Sequence, residues 1–338
     1  RQDWGNPQEI PQALSSLRNR ELVYRHEESA FVGAVEYLFK HDLLREVTYD
    51  SVIKRLRITY HGLVADWLIA NSGDRIGEYC GLIAEHLLIA GKKVQACEYL
   101  NQAGTLALRS FANIEAERYF EKALKICEKP LQQASLTYAY AKSLHKQGQS
   151  RYDESQQYYR QAIDLYAQFG DHERVAEIYQ HLSWLLWDID NLQAWEVCQE
   201  ALDRLKDATD SVGYARLLAE AGRTAHFRKV SDQIIPLCRQ AQEMADKFGD
   251  LEAHSDAGIT LAFYLDDPSD CIRQLKEIVE VTEAEGLLQI ASRAHVALGF
   301  FYNVLYIDCE AAYYHRYRAA ELAKQFGDVQ RILWAFVD

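Results

Sequence analysis

The sequence predicts an all-α protein, a helical solenoid of about six helix pairs behind a small module that carries one β-hairpin. Three observations predict it. A helix-ending tripeptide recurs as Phe169-Gly170-Asp171, Phe248-Gly249-Asp250 and Phe326-Gly327-Asp328. An apolar slot recurs at Ala123, Ala162, Ala201, Ala241, Ile278 and Ala319, at steps of 39, 39, 40, 37 and 41 residues, and a self-similar period in this range marks a repeat array. Five prolines and 17 glycines in 338 residues leave long stretches free to be helical.

Composition narrows the function. The net charge of −13, from 37 basic and 50 acidic residues, disfavours nucleic acid or an anionic membrane as partner, since both need a basic footprint. The seven cysteines are scattered singly, with no CxxC spacing, which reads as reduced small apolar residues in a cytoplasmic protein. No signal peptide is expected, and the longest mostly apolar run, 295–307, is too short to span a bilayer. The chain opens abruptly at Arg1 and stops at Asp338 within what reads as a new helix starting near 329. It is expected to be a fragment of a larger protein.

Taken in order, residues 1–75 form the leading module and its linking helix, 76–93 a connecting helix, and 94–338 the array. A short helix is expected over 9–18. Glu21–His26 and Glu36–Lys40 read as two strands around a polar, Gly-containing connection. A helix follows from about Asp42. Helix, hairpin, helix is the order of a winged helix, but Arg45, Lys54, Arg55 and Arg57 are offset by Asp42, Glu46, Asp50 and Asp66, so DNA contact is not expected. A long helix is expected from about Asp50 to Ala70, with Ile53, Leu56, Tyr60, Leu63, Val64 and Trp67 on its apolar stripe. Asn71-Ser72-Gly73-Asp74 breaks it. The next helix opens near Ile76, with Asp74 as its cap, and stops at Gly91.

The stretch Phe39-Lys40-His41-Asp42-Leu43-Leu44-Arg45-Glu46-Val47-Thr48-Tyr49, with Arg57, His61 and Ala65 after it, resembles the winged-helix region of STAND-type ATPases. It is especially similar to bacterial class III adenylate and guanylate cyclases that carry an AAA-like ATPase and a tetratricopeptide (TPR) tail. The run from Ile76 to His86, Ala103-Gly104 and the run from Glu115 to Leu124 look like the same group. The resemblance spans roughly residues 14–130. His41-Asp42 also looks like the Met-His-Asp motif of related ATPases, although Lys40 stands where that motif has Met. The resemblance implies that His41 senses the phosphates of bound ADP, with Asp42 capping or orienting the helix that follows. An imidazole at a helix start can donate to a phosphate. The nucleotide-binding domain itself would lie elsewhere in the parent chain, because no GxxxxGK[ST] loop occurs here.

Within the array the small residues fall where a TPR needs its two helices to cross closely. Gly104, Ala141, Ser183, Gly222, Gly258 and Gly299 occupy the first-helix slot, and Ala116/Phe120/Ala123, Ser155/Tyr159/Ala162 and Ala194/Cys198/Ala201 the second-helix slots. The helix pairs are expected at about 94–128, 131–169, 173–208, 211–249, 251–286 and 288–327. A period near 39 makes the helices longer than those of a standard repeat. In such a right-handed solenoid the first helices line the concave face. The positions expected to point into that groove are Tyr138, Lys142, His145, Gln180, Trp184, Trp187, Arg216, Arg223, His226, Arg293, Phe300 and Asn303. Tryptophan and arginine dominate protein-binding energy, so a locally basic, aromatic groove for an acidic or aromatic-bearing peptide is expected.

No HExxH, GxSxG, phosphate-cradling loop or metal-spaced Cys/His cluster is present in the sequence. A non-catalytic chain that needs no cofactor or metal is expected. The reading is a sensor or protein-interaction arm of a bacterial signalling ATPase, which binds an effector in its groove and controls a nucleotide-dependent switch. The alternatives are a free-standing TPR scaffold and, further off, a winged-helix transcription regulator.

Overall fold

Phe-Gly-Asp ends a helix because glycine alone enters the left-handed region without a Cβ penalty. In the computed structural model, which describes residues 9–31, 33–325, 327, 332 and 335, Gly170 and Gly249 both have φ of 68°. The following aspartates then start the next helices. Asp171 accepts from the Arg174 amide at 3.0 Å and Asp250 from the Ala253 amide at 2.8 Å. Gly327 repeats the conformation at φ 71°, while Phe326, Asp328 and the helix expected from 329 lie outside the described residues.

The chain divides into two units, one holding residues up to 106 with 125–127, the other 107–124 and 128 onward. The first begins with α1 (Glu9–Asn19), followed by β1 (Val23–Arg25) and β2 (Tyr37–Phe39). The strands pair antiparallel, Val23 opposite Phe39 and Arg25 opposite Tyr37. Then come α2 (Asp42–Ser51), α3 (Lys54–Asn71) and α4 (Ile76–Ile89), and α5 (Lys93–Arg109) runs on into the second unit. The hairpin connection is pinned by Phe31, whose ring lies 4.7 Å from Trp67 and 5.1 Å from Tyr79, and by Arg75, which donates to the Ala30 carbonyl.

Two expectations for this unit are corrected, and the α3 stripe takes an unexpected place. The single helix from Asp50 is two helices, because Val52 and Ile53 adopt extended backbone between α2 and α3. Asp74 does not cap α4: it sits in a 3₁₀ turn (Gly73–Arg75), and Arg75 takes the cap position. The apolar stripe of α3 is not its buried face. Ile53, Leu56, Tyr60, Leu63, Val64 and Trp67 remain between 38 % (Tyr60) and 65 % (Ile53) exposed, while Gly62, Ala65 and Leu68 are buried. Small residues let two helix backbones approach closely, so α3 meets α4 through Gly62 and Ala65. Ala65 and Leu68 join Ile83, Leu87 and Ala96 in the core, and the large side chains are left outside.

The second unit holds α6 (Asn113–Ile126), α7 (Pro130–His145), α8 (Tyr152–Gln168), α9 (His172–Trp187), α10 (Asn191–Arg204), α11 (Val212–Arg228), α12 (Ser231–Phe248), α13 (Leu251–Ala262), α14 (Pro268–Ala284), α15 (Leu288–Phe301) and α16 (Cys309–Gln325). This is a TPR-like helical repeat fold. Helices α9, α11, α13 and α15 pack side by side as an inner layer, α10, α12 and α14 each pack against the two inner helices beside them, α8 packs against α7 and α9, and α16 packs against α15. The small slots explain the close crossing. A Cβ on Gly222 would sit 2.3 Å from the Cys238 sulfur, and Ala141, Ser183, Ser155, Tyr159, Ala162, Ala194, Cys198 and Ala201 are all buried. Tyrosines fill much of the core: Tyr138, Tyr159 and Tyr179 pack with Ile163, Leu182 and Leu217.

Candidate interaction face of the inner helices

Helical periodicity puts residues i, i+4 and i+7 on one face. On the inner layer this face carries charge that the fold pairs internally. On α7, Tyr138 is buried and its hydroxyl donates to Glu177 at 2.9 Å and meets His181 Nδ1. The Lys142 ammonium lies 4.4 Å over the Tyr138 ring. His145 is half-buried, with Nδ1 3.2 Å from the Tyr159 hydroxyl and its ring edge-on to Tyr152. Burial pushes the Tyr138 hydroxyl well up from its ordinary range and His181 well down, the latter helped by Lys142.

Glu220 of α11 is the centre of the layer. It is fully buried and accepts four donors: Ser183 Oγ at 2.6 Å, Trp184 Nε1 at 3.2 Å, and Arg223 Nε and Nη2 at 2.8 and 2.5 Å. Arg223 is itself buried and lies 4.2 Å over the Trp187 ring. Burial raises the carboxyl of Glu220, but the Arg223 guanidinium and the Ser183 hydroxyl outweigh it and hold it below the usual range. Further along, Arg216 bridges Asp250 at 2.7 Å and Glu252 at 3.0 Å, and Arg293 pairs with Asp256.

These pairings correct the expected basic groove. Arg216, Arg223 and Arg293 lie on the inner layer, but each faces a carboxylate, so they leave no surplus positive charge for an acidic peptide. The reason is desolvation: a guanidinium this enclosed needs a partner. Gln180 is buried, and Trp184 and Trp187 are half-buried against Glu220 and Arg223. The acidic partners Glu177, Glu220, Glu252 and Asp256 and the half-buried His181 escaped the sequence reading. The repeat step would have found some of them. Tyr138 and Glu177 are 39 residues apart, and the same step carries Tyr138/Lys142/His145 to Glu177/His181/Trp184 and on to Arg216/Glu220/Arg223. Gln180 and Trp187 sit off that step.

The C-terminal ends of the same helices are different. Their rings touch in series: Trp187 lies 4.7 Å from Phe227, His226 5.0 Å from Phe227 and 4.9 Å from Phe263, and Phe263 5.6 Å from Phe300. His226 also meets the Tyr264 hydroxyl at 2.8 Å, and burial lowers its pKa. Asn303 is exposed in a short π turn (Tyr302–Tyr306) that continues α15. Thus the predicted residues His226, Phe300 and Asn303 fall at the helix ends, apart from the internally paired charges.

In the first unit His41 takes the N-cap position of α2, exposed and without a capping hydrogen bond, and Asp42 is exposed in the first turn. Tyr49, His61 and His86, which all belong to the motifs of this region, come together: the Tyr49 hydroxyl is 2.9 Å from His61 Nε2, and His61 Nδ1 is 2.7 Å from His86 Nδ1. Among the described residues no group of three or more His, Cys, Asp or Glu is placed to hold a metal, and no helix is long and apolar enough to cross a membrane.

No family model matches the chain. A curated protein of Rhizobium meliloti (strain 1021), itself described as uncharacterized, is 30% identical over 95 residues, which is 28% of this chain; the match spans 9% of the length of that relative. Among solved structures, the apo form of RapI aligns with a TM-score of 0.62 at 10% identity, covering 79% of this chain and 98% of that one. The Rap conjugation gene regulator of the plasmid pLS20, in complex with the Phr* peptide, aligns at 0.55 and 17% identity, covering 99% and 88%. A STAND protein with a TPR sensor from Pyrococcus horikoshii aligns at 0.46 with 13% identity, covering 95% and 60%. At these identities the first two likenesses establish the repeat fold and nothing finer.

Proposed function

We propose that the chain is the non-catalytic interaction arm of a STAND-like signalling ATPase, whose second unit takes a peptide or protein effector and whose first unit docks on the nucleotide-binding domain of the parent protein. The observation that carries this reading is the partly exposed apolar stripe along α3. Six large apolar side chains at helical spacing, all more than a third exposed, are the surface a packed partner domain would bury. Four of them, Leu56, Leu63, Val64 and Trp67, are 38–48 % exposed and would each contribute roughly 0.6–1.4 kcal/mol on losing that remaining exposure there. The sequence resemblance of this region to STAND ATPases supports the same partner, and His41 stands exposed at the head of α2, where it could reach a nucleotide held by that domain. The peptide-bound Rap regulator supports an effector of peptide type for the repeats.

The test is binding of this chain to the nucleotide-binding domain encoded beside it. Association that is lost in a Leu63→Glu, Trp67→Glu variant is expected. If the surrounding gene encodes no phosphate-binding loop, or if association survives that variant, the reading fails. In the full-length protein His41→Ala is expected to raise basal output without effector, and unchanged output removes the sensing role. A free-standing scaffold would instead show effector capture indifferent to nucleotide.

A further inference from the structure

The charged inner face satisfies itself, so an effector needs another foothold. The helix ends provide one. The inner helices α9, α11, α13 and α15 hand over to α10, α12, α14 and α16 at four successive turns, and the ring series from Trp187 to Phe300 connects them. Apolar side chains are exposed at every one of these turns: Ile189, Phe227, Leu265, Val304 and Ile307, with Phe227 at 51 % and Ile307 at 80 %. Single exposed apolar residues need no explanation, but a run across four consecutive turns marks a binding surface.

The charge at this edge indicates the partner. Asp188 and Asp190 lie at the first turn, Asp266 and Asp267 at the third and Asp308 at the fourth, against Arg228 and Lys229 at the second. Asp190, Asp267 and Asp308 cap the helices that follow, and Asp188 accepts from the Tyr152 hydroxyl. Asp266 is exposed and has no hydrogen bond or ion pair among the described residues. The chain as a whole carries −13. Anionic flanks around an apolar strip repel acidic peptides and nucleic acid and attract cationic ones.

We propose that this edge is the docking surface for a peptide segment that combines apolar side chains with lysine or arginine, the basic residues lying toward the α13–α14 turn. The proposal rests on the reading of the repeats as an effector-binding array and specifies the chemistry of the effector. The aromatic side chains supply the anchoring contacts, and the carboxylates select the sign of charge and quicken association.

The test is selection of a random-peptide display library on the purified chain, followed by affinity measurement on synthetic copies of the enriched peptides. Enrichment of peptides with apolar residues beside lysine or arginine is expected. Their binding should fall at least about tenfold in Phe227→Ser, Phe300→Ser, and about three- to tenfold in Asp266→Lys. Circular dichroism of the variants checks that these surface changes leave the fold intact. Enrichment of acidic or uncharged peptides overturns the partner chemistry and leaves the effector-binding array standing. Basic peptides whose affinity is unchanged in Phe227→Ser, Phe300→Ser overturn the docking surface. No enrichment of any peptide overturns both the surface and a peptide-binding function for the repeats.

Discussion

Replacing Glu220 tests whether the self-paired inner face holds the second unit together. Leucine at this position removes the acceptor of four hydrogen bonds and takes from Arg223, a residue only 8 % exposed, the one carboxylate it is bonded to among the described residues. Breaking a buried pair from one side costs about 3–5 kcal/mol. Removing both partners avoids the stranded charge, so Glu220→Leu, Arg223→Met should lose much less than Glu220→Leu alone. A coupling energy of about 2–3 kcal/mol is expected from the double-mutant cycle. The assay is urea unfolding followed by tryptophan fluorescence, which includes the adjacent Trp184 and Trp187, with hydrogen exchange on α9 and α11, since a repeat array need not unfold in one step. The pH dependence has a definite sign. The folded carboxyl titrates below its ordinary 4.5, so its contribution is complete above that value and is lost as pH falls through the lower folded one. A Glu220→Leu cost within about 1 kcal/mol of zero, or coupling to Arg223 below about 0.5 kcal/mol, refutes the reasoning.

Three further outcomes are expected. His315 and His295 meet through their Nδ1 atoms at 2.8 Å, with Glu283, Arg318 and Lys276 nearby. Burial lowers both, His315 to about 4; stability is therefore lost between the ordinary 6.5 and that value as the unfolded chain takes up protons first, and His315→Phe should flatten a plot of Tm against pH in that window. Gly222→Ala drives a Cβ to 2.3 Å from the Cys238 sulfur and should cost about 1–3 kcal/mol in urea unfolding. Of the seven cysteines only Cys309 is exposed, and burial pushes Cys198 and Cys238 up to about 12; a thiol reagent at pH 8 should label Cys309 rapidly, Cys127 slowly, and the other five only in denaturant.

The repeat architecture was legible because it is written in local signals. Glycine at the helix ends, aspartate after it and small residues at the crossings each act within a few residues of themselves, and the period multiplies the signal. Helix boundaries consequently fall close to expectation among the described residues of the array. The first unit was harder. Hydrophobic periodicity marked a stripe on α3, yet the helix packs through Gly62 and Ala65, which carry almost no hydropathy signal. Periodicity reports that a face wants to be covered; it does not report whether this chain covers it.

The same distinction holds for the inner face. The sequence alone determined which helices line it and that arginines and tryptophans stand on it. Only the tertiary structure decided that Glu220, Asp250, Glu252 and Asp256 meet those arginines, because each pair but one joins residues more than thirty positions apart or, for Glu220 and Arg223, depends on Ser183 and Trp184 from the neighbouring helix. A side chain's type is fixed by the sequence, but its net charge to a ligand depends on the partner that packing delivers. That is why the expected basic groove becomes a neutral one, and why the exposed, acid-flanked helix ends become the surface left to bind.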